Sequence, residues 1–345
     1  MPDEVITPQN NFFLLGQEEA EKVFCDAYNN GTLHNSWLIS GEKGIGKATF
    51  AYRVARFLLD NQRGDNGLST SPDSPSNRLI TSGSHPDLKV IERDYIEADR
   101  KKIIKSIKEG EAMSESERQN LKKSAFIRID DVRTINDFLS KKSSHDGWRV
   151  VIVDSIDDMN AASANALLKI LEEPPSQSII MLISHNVGRL LPTIKSRCVK
   201  LVLKPLSENT VTCLLRRYRP ELSEAEIKGI ARIASGSIGK ALNYADGNVL
   251  KVYESLKNLV FAGSGFKTEN MLNWVNEAVS SDESYNLARE LVLKFCSDNI
   301  VGCRHIEDMF SVWENAMLCF RQVDALNMDR RQALINILGK LCKLN

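Results

Sequence analysis

Apolar residues in the first half of the chain fall in short continuous runs. Trp37-Leu38-Ile39 leads into a glycine-rich turn, Val150-Val151-Ile152-Val153 ends at Asp154, and Ile179 to Ile183 and Val199 to Leu203 follow. Apolar runs without polar alternation mark strands buried on both faces, and the stretches between them carry helical spacing. The pattern predicts an α/β domain with a parallel sheet. Beyond Lys204-Pro205 it stops. Residues 207–219 and 223–235 read as helices, each opened by a serine suited to N-capping, and a third helix follows Gly236. From Val249 onward the pattern is helical throughout. Ile306, Met309, Phe310, Trp313, Met317 and Phe320 recur every three or four residues, which predicts one amphipathic helix of about five turns with these side chains on its core face. The expected division is therefore an α/β domain over 1–204, a small helical domain over 205–248 and a helical bundle over 249–345.

Two stretches interrupt the first domain and together form a flexible, charged insertion over 61–123. Residues 61–86 are rich in Ser, Asn, Gly and Pro and read as a solvated surface loop. Residues 92–123 are dense in charges of both signs with no sustained apolar stripe. A nucleic-acid contact and an exposed helical insertion both fit that pattern; the near cancellation of the charges favours the insertion.

Composition excludes several classes. With 345 residues, 42% of them hydrophobic and 26% charged, the chain has the material for real cores. Forty-five Lys and Arg balance 45 Asp and Glu, so a histone-like protein is excluded. No apolar stretch approaches the 18 residues of a membrane span. The opening MPDEVITPQN is acidic and polar and reads as neither a signal nor a transit peptide, so a cytoplasmic location without a membrane partner is expected. Seven cysteines are scattered without a CxxC pair, which argues against a disulfide framework and against zinc; no metal ligands are assigned. Residues 189–219 are locally basic, with eight Lys and Arg against Glu208 alone, a density suited to phosphate contacts, to an acidic neighbour or to a solvated face.

Gly41-Glu42-Lys43-Gly44-Ile45-Gly46-Lys47 fits the phosphate-binding loop GxxxxGK. Its glycines let backbone N–H groups converge on phosphate oxygens, the following helix adds its positive end, and the lysine adds a point charge. An apolar run precedes it and the helical spacing of Phe50, Val54 and Leu58 follows. Ala48 stands where Ser or Thr would place a hydroxyl on Mg²⁺, and Thr49 comes about 100° further round the helix. Asp154 closes a buried strand, where such sites keep a metal-binding carboxylate. The next residue is Ser155, which lacks the carboxylate of a base that could activate water.

Asn165 to Pro175, NALLKILEEPP, resembles the NALLKxLEEPP signature of bacterial clamp loaders, AAA+ proteins of DNA polymerase III. Ser196-Arg197-Cys198 after Leu191-Pro192-Thr193-Ile194 resembles their SRC motif, and Ser84 to Asp87 adds SHPD. The resemblance covers residues 10 to about 247. It implies a P-loop AAA+ α/β domain, a helical lid and an all-α C-terminal collar that holds a hetero-oligomer together. Within the family the chain is more similar to the non-hydrolysing delta prime type than to the ATP-hydrolysing gamma/tau type. Ser155 replaces the catalytic Glu, and Gly239 falls where motor subunits carry the sensor-2 arginine, with Lys240 one place off.

The resemblance further implies that Arg197 reaches a neighbouring subunit's ATP site as an arginine finger in trans; a structural arginine capping the sheet edge is the plainer alternative. A degenerate ATP site would be formed by Gly41, Gly44, Ile45, Gly46, Lys47, Ala48, Thr49 and Asp154, with ATP binding weak or absent. Ser184 and His185 fall near the sensor-1 position, as a polar pair or as a phosphate sensor. The four zinc-binding cysteines of many relatives are missing between the loop and His85, so no zinc is expected. The implied partners are gamma/tau and delta subunits, the sliding clamp and the backbone of primer–template DNA. The isolated chain would show no ATPase activity and would serve a DNA-directed DNA polymerase, a nucleotidyltransferase holoenzyme. A hydrolysing AAA+ motor, gamma/tau-like or a DNA-remodelling helicase, is the alternative.

Overall fold

The computed structural model describes residues 6–60, 67–109, 121–143, 147–262, 267–300 and 306–344. They form two compact units, Met1–Thr210 with Gly236–Gly239, and Val211–Ser235 with Lys240–Asn345. The three-part division expected from the sequence places its first boundary at 204/205 and a second at 248/249, inside the second of these units.

The first unit is built on a five-stranded parallel sheet. Its strands are β1 (Ser36–Ser40), β2 (Leu88–Glu92), β3 (Arg149–Asp154), β4 (Ser178–Ser184) and β5 (Val199–Val202). Their order is β2-β3-β4-β1-β5, every pairing parallel. The continuous apolar runs lie where both faces are covered: β1 and β4 are buried along their whole length. One face packs against the helix Lys47–Leu59 through Phe50, Val54 and Leu58, alongside Ile39, Ile152 and Met181. The other packs against the helices Ile129–Ser140 and Ala161–Glu172 through Val132, Ile135, Leu167 and Ile170, alongside Val151, Val153 and Leu182. At the edge, β5 buries only Leu201 and leaves Val199 and Val202 exposed.

The expected solvated loop over 61–86 is corrected by the structure for residues 67–86; residues 61–66 lie outside the described residues. Leu68 and Ile80 are buried in the core, and a helix Pro75–Thr81 is capped by the buried Ser74, whose hydroxyl accepts from Asn77 N. Few apolar residues suffice here because buried polar side chains find partners: Asn77 Nδ2 donates to Ser71 O at 2.6 Å, and the hydroxyl of Ser76 lies 3.1 Å from His85 Nε2. Strand β2, unforeseen in the sequence, follows at once. The charged stretch holds the helix Glu97–Glu109, laced by Lys101–Glu97 and Lys102–Asp99 pairs; residues 110–120 lie outside the described residues.

The second unit is all helix among its described residues. Ser223 makes a capping box with Glu226 ahead of the helix Glu224–Ile233. Helix Asp282–Ile300 packs on Ile306–Leu326, which packs on Arg330–Leu344. The amphipathic helix is present but turned from its expected face. Met309, Val312, Ala316, Phe320 and Val323 are buried, whereas Ile306 and Phe310 are exposed. The buried stripe runs through Ala316 rather than through the bulkier Trp313 and Met317, which are half-buried. No described helix is long and apolar enough to cross a membrane.

Candidate functional site

The glycine-rich loop joins β1 to the helix Lys47–Leu59, the strand–loop–helix context that a phosphate cradle requires. Gly41 has φ +145°, and a Cβ there would meet Leu203 O at 2.5 Å, so only glycine fits beneath the chain leaving β5. Ile45 is buried and anchors the loop from below. Lys47 Nζ donates to two carbonyls of its own loop, Gly41 O at 2.7 Å and Glu42 O at 2.5 Å. Burial lowers the Lys47 ammonium to about 8, against the opposing pull of Asp154, Asp157 and Glu42.

The segment Gly236–Gly239 lies directly on this loop. Gly239 N donates to Gly44 O at 2.9 Å and Ser237 Oγ to Lys43 O at 2.9 Å. A Cβ on Gly239 would lie 2.9 Å from Gly44 Cα. At Gly239, then, two backbones touch, and there is no room for the first atom of any side chain.

Ala48 packs against the hydrophobic core and Thr49 is half-buried. Burial, with the charge of Glu92, raises the Asp154 carboxyl above its ordinary value, while Lys47 acts to lower it. Ser155 is buried and turns its hydroxyl onto Asp158 Oδ2 at 3.3 Å. The cradle is thus formed, but its lysine already has acceptors, no hydroxyl follows that lysine, and no carboxylate occupies position 155. The loop has the shape of a phosphate cradle, and Ala48 and Ser155 stand at the two positions beside it where a hydroxyl and a carboxylate would serve magnesium-assisted hydrolysis.

Asp157 is not among the residues singled out from the sequence. The structure puts it in the 3₁₀ turn Ile156–Asp158, where its carboxylate accepts from Ser184 Oγ at 3.1 Å, His185 N at 2.5 Å and Asn186 N at 3.1 Å. It fixes the end of β4, and the hydroxyl of Ser184 is satisfied there. His185 is pushed below the usual imidazole value by desolvation first and by the Lys47 charge second.

The SRC turn follows a short helix, Pro192–Lys195. Ile194 is buried, and Cys198 packs against the same core, its thiol raised by burial to about 11. Between these anchors Arg197 stays partly exposed. Its Nη1 donates to Thr193 O at 2.9 Å, and its Nη2 to Glu172 Oε1 at 2.7 Å. Glu172 is the first glutamate of the LEEPP run, and sequence reasoning gave it no role; no local spacing signals a pairing across 25 residues.

Four of the eight basic residues of 189–219 form ion pairs, Arg197 with Glu172 among them. Lys204 meets Glu19, Arg216 grips Glu224 with two 2.7 Å bonds, and Arg219 meets Asp246. His85 and Asp87 of the SHPD run are buried, with Asp87 facing Arg149 at 3.9 Å, and they support the fold. Among the described residues no cluster of His, Cys, Asp and Glu could hold a metal ion.

The profile of the family described as DNA polymerase III, delta subunit, matches residues 16–207, more than half of the chain. The chain is 28% identical over 240 residues to DNA polymerase III subunit gamma of Buchnera aphidicola subsp. Schizaphis graminum, covering 68% of this chain and 57% of that one. It is 31% identical over 204 residues to DNA polymerase III subunit delta' of Pseudomonas aeruginosa, covering 59% and 53%. The chain thus spans little more than half the length of these two relatives. Among solved structures, a DNA polymerase III gamma-subunit-related protein from Thermotoga maritima aligns with TM-score 0.40 and 20% identity, over 94% of this chain and 98% of that one. With a family match that runs from before the glycine-rich loop to beyond the SRC turn, the chain belongs to the DNA polymerase III delta subunit family.

Proposed function

We propose that the chain is a non-hydrolysing clamp-loader subunit of the DNA polymerase III holoenzyme. It would act in the cytoplasm beside gamma/tau and delta subunits and help to place the sliding clamp on primer–template DNA, contacting the DNA backbone without reading sequence. Its own site binds ATP weakly or not at all and holds no zinc. Arg197 acts instead in trans on the ATP bound by a motor subunit. The carrying observation is an asymmetry: at its own loop Ser155 is turned onto Asp158 where a base would stand, while Arg197 sits outward on a turn anchored by Ile194 and Cys198. A guanidinium keeps its charge at every working pH and offers a planar fork to phosphate oxygens. In GTPases such a finger changes rates by about 10³ to 10⁵.

A second reading has its own support. Relatives named gamma match as well as those named delta', and the loop lysine is retained, which suits a hydrolysing motor. One set of measurements separates the two. ATP turnover by the purified chain should stay at background, and Arg197→Ala should lower the DNA- and clamp-stimulated ATPase of the reconstituted complex at least about tenfold, or ~1.4 kcal/mol, with assembly unchanged. Turnover by the isolated chain that Lys47→Ala abolishes would establish the motor. An unchanged complex with Arg197→Ala would remove the finger.

A further inference from the structure

Arg197 does not wave free in this chain. Its two terminal nitrogens are held by acceptors from two different elements: Thr193 O on the turn just before it, and Glu172 Oε1 at the end of the helix Ala161–Glu172. A guanidinium has five N–H donors. Two are engaged here, so three remain to meet a phosphate. The turn beneath is itself fixed: Arg197 N donates to Ile194 O at 3.1 Å, Ser196 Oγ to Thr193 O at 3.0 Å, and Ile194 is buried. Backbone and guanidinium are therefore both constrained, one by the core and one by Glu172.

We infer that Glu172 is a positioning residue for Arg197. It holds the planar fork in the orientation in which the remaining donors face the neighbouring subunit's nucleotide. This rests on the reading of Arg197 as acting in trans. The physical gain is pre-organisation: a free arginine samples many rotamers and loses them when it docks. Held by Glu172, it has lost most of that freedom on folding, before the interface forms. Both side chains are partly exposed, Arg197 at 33% and Glu172 at 50%, so water screens the pair and the effect is modest. It should amount to about three- to fivefold in the partner's rate. The same exposure means that Glu172 can be replaced without opening a cavity or stranding a buried charge.

The test uses the reconstituted clamp-loader complex with this chain as wild type, Glu172→Ala, Glu172→Gln, Arg197→Ala and the double variant, with assembly confirmed for each. Steady-state kcat and KM for ATP are measured with DNA and clamp present. Glu172→Ala should lower kcat about three- to fivefold and leave KM unchanged. Glu172→Gln keeps an acceptor oxygen for Nη2 and should restore most of the rate, and it is the change in kcat at unchanged KM that a merely structural contact would not predict. In the Arg197→Ala background Glu172→Ala should have no further effect. If Arg197→Ala lowers the rate but Glu172→Ala does not, the positioning role is overturned and the finger stands. A rate raised by Glu172→Ala overturns it too, since Glu172 would then restrain the finger. If Arg197→Ala itself changes nothing, the trans reading fails and this inference fails with it.

Discussion

The contact between Gly239 and Gly44 makes the most exposed claim, because one methyl group tests it. In Gly239→Ala the new Cβ would lie 2.9 Å from Gly44 Cα and 3.5 Å from Gly44 O. Two carbons rest about 3.5 to 4.0 Å apart, so loop and segment must separate by at least about 0.6 Å. Both close atoms belong to backbone, so no flexible side chain can yield. Nor is the loop free to retreat: Lys47 ties it to its own carbonyls and Ile45 is buried beneath it. Overpacking of this kind costs about 1 to 3 kcal/mol, and weakening the Gly239 N–H bond to Gly44 O adds about 1 kcal/mol. For a unit of 150 to 250 residues each kcal/mol is worth about 2 to 4 °C. Gly239→Ala should therefore lower the melting temperature of the first unit by about 4 to 16 °C, read by calorimetry. Gly339→Ala is the control, because nothing lies within 4 Å of its Cβ, and it should be neutral or mildly stabilising. A Gly239→Ala melting temperature within about 1 °C of wild type would refute the contact. For the same reason Gly239→Arg alone should not restore a sensor-2 arginine, since the loop would first have to give way.

Lys47 should impose an alkaline slope on stability. Its folded value is about 8 against 10.5 for the free side chain. Below pH 8 both states are protonated and the folded state carries the full desolvation cost. Between about 8 and 10.5 the folded state releases a proton that the unfolded state keeps, so stability rises with pH. The urea midpoint of wild type should rise relative to Lys47→Met between pH 7 and 9.5; cysteine and tyrosine titrations are common to both variants and cancel, and a flat difference would refute the burial argument. Asp157→Ala should cost about 1 to 2 kcal/mol, because the buried Ser184 hydroxyl loses its acceptor while the two exposed amides can turn to water; Asp157→Asn should cost less, and urea midpoints equal to wild type would deny the clamp at the end of β4.

How legible the fold was depended on what each element uses to hold its place. Strands β1, β3, β4 and β5 could be read because burial on one or both faces demands apolar runs, and the serines ahead of 208 and 224 because capping is local chemistry. Strand β2 was missed because an edge strand is covered less completely: Leu88, Lys89 and Val90 are only half-buried, and Lys89 and Glu92 break the run. Residues 67–86 were misread because polar groups hold them. Ser74, Asn77 and His85 look solvated as letters, yet all three are buried and hydrogen-bonded. The helix over 306–326 was found and its face was not. Residues 309, 312, 316, 320 and 323 define the stripe only if Ala316 is counted as a core residue, and an apolar tally gives more weight to Phe310 and Trp313.

At the site, single positions could be read and pairings could not. Ser155 after Asp154 is visible in the letters alone as a hydroxyl where the proposed reading misses a carboxylate base. Gly239 is a departure of another kind. As a letter it says only that an arginine is missing, which would suit a site that has decayed. In the structure it is the residue that allows the segment Gly236–Gly239 to lie on the phosphate loop, backbone on backbone, 2.9 Å from Gly239 N to Gly44 O. A decayed site would take any small residue at 239 without loss; a packed one loses stability with even a methyl group. The same logic separates Glu172 from Glu173: the two are adjacent in the motif, but only Glu172 meets Arg197 in the structure. The resemblance implied where along the chain chemistry would lie, and packing shows that Gly239, one departure from the family pattern, serves the fold.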